Sequence, residues 1–406
     1  MNEEREVVIL GAGPAGATAG GLLAKAGHDV LLLDRDTFPR EHIGESLLPA
    51  EMPLFEALGF APEGEAIPKA GADFVDERTG QTARFLFRDA LPPAPAGAVQ
   101  VERSVFDHRL AEHARKLGAD LRYGVRARAV HTSAEGARVE LGDGRTIHAR
   151  FVVDATGRDR LMCGQLRAFE RVEGFGVAAV WGHFDDLGNE AVAELADTGN
   201  ITVLLLEQGW GWVIPLPNAR LSVGFVSTER GVVCDAWFDE RYAASPLLQR
   251  LTAGARRGPL RRVGDYSFKN TRPIGLRYGC IGDASAFLDP VFSSGVAFAM
   301  VGAAELARLL APALREGRED DPQLLAPLEQ KMQRAYDVFG ALIHSFYHTA
   351  LVQNLFFYDD PDPELRAGLI SVLAGDLWRE DNAFQNMLLR SGRRLERRQT
   401  LRNRRS

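Results

Sequence analysis

The chain has 406 residues, 46% apolar and 25% charged, with a net charge of −7, an ordinary globular balance that allows one large composite domain or two to three smaller ones. Three cysteines without close spacing (Cys163, Cys234, Cys280) argue against a disulfide framework and a zinc site. The polar start from Met1 to Glu6 has no signal-peptide pattern, and the most apolar helix candidate, Ser294 to Leu314, carries Glu305 and Arg308, so no membrane span is expected and the cytoplasm is the default location.

The chain opens on a dinucleotide signature. Val7 to Leu10 reads as a buried strand leading into Gly11, Gly13 and Gly16; a small-residue helix follows, then a second apolar run, Val30 to Leu33, closed by Asp34. Gly11 permits the tight turn off the strand, Gly13 lets the backbone approach a pyrophosphate, and Gly16 lets helix and strand pack closely. The phosphates then sit on unpaired N–H groups at the positive helix end. Asp34 is placed to accept hydrogen bonds from a ribose.

Leu47 to Leu58 has helical spacing and stops at Gly59, while Ala70 to Asp76 and Ala83 to Phe87 read as strands around Thr79-Gly80. Pro92, Pro93 and Pro95 mark a loop before strand-like Val99 to Val101, and Phe106 to Leu117 is an amphipathic helix. Asp120 to Tyr123, Val125 to His131 and Val139 to Leu141 alternate as strands, with a hairpin turn at Gly142-Asp143-Gly144 before Arg150 to Asp154. From Gly174 to Ser227 strand patterns dominate (Gly176 to Phe184, Ile201 to Leu206, Trp210 to Pro215, Leu221 to Val226), as suits a substrate sheet docked on a nucleotide domain. Val263 to Lys269 and Gly279 to Gly282 return to the first domain, and Ser294 to Leu395 is almost entirely helical in pattern. The expected fold is α/β. Residues 1–70, 98–172 and 262–316 would form a Rossmann-like nucleotide domain, 71–97 and 173–261 an inserted β-sheet substrate region, and 317–406 a mostly helical C-terminal part.

Several segments carry chemistry. Asp154-Ala155-Thr156-Gly157 and Gly282-Asp283-Ala284 are further nucleotide-type turns at strand ends, where an aspartate can hold a polyol hydroxyl. Trp210-Gly211-Trp212-Val213-Ile214-Pro215 is distinctive, although an aromatic-rich sheet core would look similar. Phe287 to Gly295 ends in Ser294-Gly295 at a helix start, either a ready anion site or an ordinary serine N-cap. Lys69 stands alone, as a solvated surface lysine commonly does. His344 and His348 are spaced i, i+4 without a third ligand, so no metal is expected. Asp359, Asp360, Asp362 and Glu364 beside Pro361 and Pro363 read as a helix N-terminus. From Arg390 the chain is dense in arginine (Arg393, Arg394, Arg397, Arg398, Arg402, Arg404, Arg405) against Glu396 alone. That end is either solvated or a docking arm for an acidic partner; no basic fold accompanies it to favour nucleic acid.

The three nucleotide segments together resemble the flavoprotein monooxygenase superfamily over Val7 to about Leu314, with no second glycine fingerprint for a separate nicotinamide domain. Within it the chain resembles flavin-dependent halogenases. Trp210 to Pro215 matches their WxWxIP motif in full, Phe287 to Gly295 resembles their loop after the Gly-Asp-Ala turn, and Lys69 matches the lysine after their Gly-Glu-Ser segment, here Gly44-Glu45-Ser46. The resemblance implies FAD bound along Gly11, Gly13, Ala15, Gly16, Asp34, Arg35, Arg40, Ser46, Arg103, Asp283, Gly295 and Val296. It also implies chloride or bromide at Ser294 and Gly295, and a substrate pocket at Trp210, Trp212, Pro290 and Phe292. Lys69 would be catalytic, hydrogen-bonding hypohalous acid or becoming halogenated itself. Reduced FAD would come from a separate flavin reductase, O2 would add to give a flavin hydroperoxide, and halide attack on its distal oxygen would release hypohalous acid. The tryptophan-specific branch has a glutamate where this chain has Phe292. The missing carboxylate points to an already activated aromatic such as a phenol or pyrrole, free or tethered to an acidic carrier protein. The same scaffold serves aromatic hydroxylases and unsaturated-lipid reductases, and a flavoprotein retained as a binding module is the non-enzymatic alternative.

Overall fold

The computed structural model describes residues 3–62, 64–349, 355–358 and 360–390. The arginine-rich end beyond Arg390 and the Asp359 of the acidic cluster lie outside the described residues.

The strand Glu3–Leu10 pairs in parallel with Thr146–Asp154 on one side and Val30–Leu33 on the other. Tyr278–Cys280 continues the parallel order beyond Thr146–Asp154, and Asp120–Arg122 continues it beyond Val30–Leu33. Parallel strands are covered on both faces, which is why Val7 to Leu10 and Val30 to Leu33 are unbroken apolar runs. Register aligns their carboxyl ends: Leu10 lies opposite both Leu33 and Asp154, and Asp154 opposite Cys280. The loops starting at Gly11, Asp34, Ala155 and Ile281 therefore leave the sheet along one edge, where open α/β sheets bind ligands.

The second sheet begins with the hairpin Gly71–Asp76 and Gln81–Leu86. It continues through Ile201–Leu206 into the antiparallel strands Gly209–Leu216, Arg220–Ser227 and Ala178–Asp185. Alternation along the strands sorts their faces. Trp210, Trp212 and Ile214 enter the main core, whereas Val213, Val223 and Phe225 pack with Trp237, Phe238, Leu248 and Leu251 of the helices Asp235–Ala244 and Pro246–Leu251. A small sheet joins the two larger ones: Ala66–Lys69 pairs with Ala98–Val101, and Ser46 bridges to Gln100. The Leu47 N–H donates to the Val99 carbonyl at 3.0 Å, and the Val101 N–H to the Glu45 carbonyl at 2.8 Å.

Two expected elements differ in extent. Leu47 and Leu48 are held extended by that small sheet, so helix begins only with the turn Pro49–Glu51 and continues as Met52–Leu58. The single strand expected over Val263 to Lys269 is broken at Asp265, whose φ of 50° is incompatible with a strand. Arg261–Gly264 therefore pairs with Ala178–Asp185, and Phe268–Asn270 with Phe169–Arg171. Helices follow at Ser294–Glu316, which ends the region expected to bind nucleotide, and then at Ala326–His348, Pro363–Leu373 and over 383–390. Asp362 caps the third of these by accepting from the Leu365 N–H at 3.0 Å. Ser294–Glu316 is long and apolar enough to cross a membrane (mean hydropathy 1.5), but 78% of that window is buried inside the fold.

Candidate active site

A cavity of about 970 Å³ follows the carboxyl edge of the first sheet and reaches the second. The sequence-predicted residues Gly11, Gly13, Ala15, Asp34, Arg35, Arg40, Ser46, Arg103, Asp283, Pro290, Gly295, Val296, Trp210 and Trp212 all line it. Gly16, Lys69, Phe292 and Ser294 are set behind the wall.

The glycine loop is shaped by backbone contacts. Gly11 has a φ of 101°, and a Cβ there would lie 2.2 Å from the Ala155 carbonyl oxygen; one on Gly16 would lie 1.8 Å from the Gly11 oxygen. Gly13 is different: the nearest atom to its would-be Cβ is the Arg40 guanidinium at 3.4 Å, so the space above it belongs to the cavity. The helix Pro14–Lys25 has Pro14 at its start and no acid in its first turn, leaving its positive end open to an anion. Asp34 accepts the Ala12 N–H at 2.7 Å through one oxygen and the Asp36 N–H at 2.9 Å through the other. Each oxygen keeps a further lone pair for a ribose hydroxyl.

Arg103 and Asp107 form a buried two-point pair at 2.7 and 3.0 Å, and the arginine also donates to the Ile43 carbonyl at 2.7 Å. Arg103 thereby fixes the loop that carries Gly44, Glu45 and Ser46. Asp283 has no hydrogen-bond partner among the described residues; burial pushes its carboxyl up to about 6, opposed by Arg103 and Arg158. An open anion site over Gly13, a ribose acceptor at Asp34 and an unpartnered acid at Asp283 fit an extended FAD.

The loop before the helix Ser294–Glu316 is organised by Asp289. This buried carboxylate accepts the Gly176 N–H at 2.8 Å, the Val291 N–H at 3.0 Å and the Tyr347 hydroxyl at 3.0 Å. The Tyr347 hydroxyl in turn accepts the Trp210 indole N–H at 2.9 Å. Trp210 is thus tied to the halide-type loop through one tyrosine. Ser293 has a left-handed φ of 58° and precedes the helix without a side-chain capping bond. The cavity wall at this helix start is formed by Ser293, Gly295 and Val296; Ser294, expected with Gly295 to bind halide, is only 4% exposed and is not in the wall. Phe292, expected in the substrate pocket, packs instead among Phe74, Phe339 and Phe346, with ring centroids 5.6–6.5 Å away. The benzyl group fills an apolar core, and the left-handed Ser293 turns the chain after it.

Lys69 is 2% exposed and donates from Nζ to the Leu47 carbonyl at 2.8 Å, one residue beyond the cavity-lining Ser46. The small sheet makes this contact by drawing the Glu45-to-Leu47 segment alongside Ala98–Val101, the partner of the lysine's own strand. Burial pulls the Lys69 ammonium down to about 7, opposed by Glu51. Burial also pushes the fully enclosed Glu51 carboxyl up to about 8, opposed by the Leu48 N–H and Lys69. A lysine so placed exchanges its proton near neutrality, unlike a surface lysine.

Motif reading passed over Glu45, Glu51, His183, Asp289 and Tyr347 as site residues. A signal existed for His183: it follows Trp181 by two positions on a buried strand, so it shares the face of that cavity residue. Glu51 and Tyr347 offered none, since only the fold brings them to Lys69 and Asp289. His344 and His348 lie side by side, with ring centroids 4.8 Å apart. No group of three His, Cys, Asp or Glu side chains suited to a metal occurs among the described residues.

Comparison with known proteins agrees with this geometry. The family model described as tryptophan halogenase matches residues 6–95 and 94–368. A flavin-dependent halogenase of Armillaria mellea is 31% identical over 385 residues, covering 86% of this chain and 75% of the relative. A chlorinase of 1H-pyrrole-2-carbonyl peptidyl-carrier protein from Pseudomonas fluorescens is 27% identical, with 97% and 92% of the two chains covered. Among solved structures, a flavoprotein/dehydrogenase of Cytophaga hutchinsonii superposes with a TM-score of 0.85 at 27% identity, covering 98% of this chain and 100% of the other. The last match shows that the fold also serves a protein described by another activity, so the assignment rests on the family model and the halogenase relatives. The chain belongs to the tryptophan halogenase family and is an FAD-dependent halogenase that uses reduced FAD, O2 and chloride or bromide.

Proposed function

We propose that this halogenase acts on an electron-rich aromatic ring, a phenol or a pyrrole, and that Lys69 handles the oxidised halogen. Reduced FAD, with O2 and halide, supplies that halogen as hypohalous acid. The residues lining the cavity from Gly11 to Asp34, with Arg103 and Asp283, would hold the cofactor. Halide would bind at the start of the helix Ser294–Glu316, against Ser293, Gly295 and Val296 of the wall, where the N–H groups of the positive helix end favour an anion.

The observation that carries the reading is the state of Lys69, buried one residue behind the cavity wall and brought to about 7. As an ammonium it donates a hydrogen bond to the oxygen of hypohalous acid. As a free amine it takes the halogen: an N–X bond forms, the X–O bond breaks, and the departing oxygen leaves as water with the amine proton. The aromatic packing of Phe292 supports the acceptor class, since the residue before Ser293 offers no carboxylate to activate an indole. A ring bearing its own oxygen or nitrogen needs less help. The Pseudomonas relative acts on a carrier-bound pyrrole, which makes that substrate the first to test. The arginine-rich end beyond Arg390 would then meet an acidic carrier, and a flavin reductase would supply reduced FAD.

The test is single-turnover bromination of a phenol and of a carrier-bound pyrrole by the FAD-loaded protein. Bromination should disappear in Lys69→Ala while FAD binding persists. Oxygenated products without bromination, or a variant as active as the parent, would overturn the reading.

A further inference from the structure

Glu45 and His183 form a buried acid–imidazole pair beside the cavity. Glu45 lines the cavity and is 1% exposed. Its Oε1 lies 2.7 Å from His183 Nε2, and its Oε2 is buried without a partner. His183 continues the strand face of Ala179 and Trp181, both of which line the cavity. Its other ring nitrogen, Nδ1, is 4.0 Å from Oε1 of Glu41, a 37% exposed carboxylate that Arg261 approaches to 3.4 Å. The series Glu45, His183, Glu41 runs from an enclosed part of the cavity wall to its exposed rim, where Glu41 and Arg261 also line the cavity. Its one wide gap is a distance that a single water, or a small rotation of the exposed glutamate, closes.

Charge balance gives such a series a purpose. An aromatic C–H, a halide ion, O2 and FADH2 become an aromatic C–X, FAD and two waters only if one proton enters with each halide. The C–H and O–O bonds break, C–X and water O–H bonds form, and O2 takes two electrons from FADH2 and two from joining halide to the ring. We propose that Glu41, His183 and Glu45 deliver the incoming proton from the solvent-exposed rim of the cavity to its enclosed wall at Glu45. It enters the imidazole at Nδ1, and the Nε2 proton passes to Glu45. The proposal rests on the halogenation reading.

The charges facing His183 are Glu45 and Glu41 from one loop, Arg220 from the neighbouring strand, and Arg261 through Glu41. Arg220 is itself held by Asp185 at 2.6 Å and Glu102 at 3.1 Å. Burial works against the imidazolium, as does Arg220, but the hydrogen bond and charge of Glu45 with the charge of Glu41 prevail and hold the group above its ordinary value.

The test pairs NMR titration of histidine-labelled protein with the pH profile of bromination by the FAD-loaded enzyme. His183→Gln assigns the resonance. In the parent, His183 should titrate above the ordinary imidazole, and in Glu45→Gln it should fall below it. Bromination should decline as pH rises through the parent's His183 titration. Glu45→Gln should lose that limb and run about 10²-fold slower, with FAD affinity retained, and formate should restore rate to Glu45→Ala. Glu41→Gln, a change at the exposed rim of the cavity, should slow the enzyme severalfold and remains available if the buried variants do not fold. An unchanged rate and pH limb in Glu45→Gln, or in Glu41→Gln where only that variant folds, would overturn the relay. So would a loss that tracks FAD affinity and ignores formate. A parent enzyme that never halogenates would overturn the underlying reading, while leaving the NMR result to stand separately.

Discussion

Replacing Lys69 by Met keeps an unbranched side chain of similar length in the buried site and removes the ammonium. The consequence follows from the titration of two facing groups. Glu51 moves from 4.5 to about 8 on folding. Between those values the folded chain holds a proton the unfolded chain has released, so stability falls as pH rises. Lys69 moves from 10.5 to about 7. Between those values the unfolded chain holds a proton the folded chain has lost, so stability rises with pH. At about 1.4 kcal/mol per factor of ten, each limb spans roughly 4–5 kcal/mol before coupling between the two is counted. The parent should therefore be least stable at about pH 7–8 and recover on the alkaline side. Lys69→Met should lack the recovery, and its Glu51 should titrate higher still because the opposing charge is gone. Urea midpoints read by tryptophan fluorescence across this range would show it. Parallel curves for parent and variant would refute the burial argument for Lys69, and with it the claim that this lysine exchanges its proton near neutrality.

Two further outcomes test the packing around the cavity. A Cβ on Gly224 would lie 2.2 Å from Trp212 Cζ2 and 2.6 Å from Trp181 Cβ, so Gly224→Ala should cost about 1–3 kcal/mol, visible as a lower Tm, and should weaken aromatic substrate binding by displacing both indoles. Trp210→Phe keeps a ring but leaves the Tyr347 hydroxyl without its donor; about 1 kcal/mol of stability should be lost, and the bromide KM should rise because the Asp289-to-Gly295 loop is less firmly held.

The cofactor end of the site was legible in the sequence because its information is local. Gly11, Gly13, Asp34 and Asp283 each follow a short apolar strand, and parallel register then forces their loops to one edge. The reaction end was less so. Lys69 could be matched to a family position, yet its chemistry depends on Glu51 and on a backbone carbonyl supplied by the bridge between Ser46 and Gln100. No periodicity announces that pairing. Phe292 and Ser294 were expected to face the cavity, but the left-handed turn at Ser293 puts both behind the wall. Positive φ on a non-glycine residue is set by tertiary context, and the residue type gives little warning of it.

The shell around Phe292 bears on how long the catalyst lasts. Phe74, Phe85, Phe292, Phe339, Phe346 and Phe356 form a continuous cluster of rings. None of these six carries the oxygen, nitrogen or sulfur that makes tyrosine, tryptophan or methionine quick to react with electrophilic halogen. An oxidant straying in that direction meets hydrocarbon that it attacks slowly. The vulnerable groups are Trp181, Trp210, Trp212 and Tyr266, which stand in the cavity wall itself. The number of turnovers before inactivation is therefore set at those wall side chains, and the phenylalanine shell confines self-inflicted damage to the place where the halogen is meant to be.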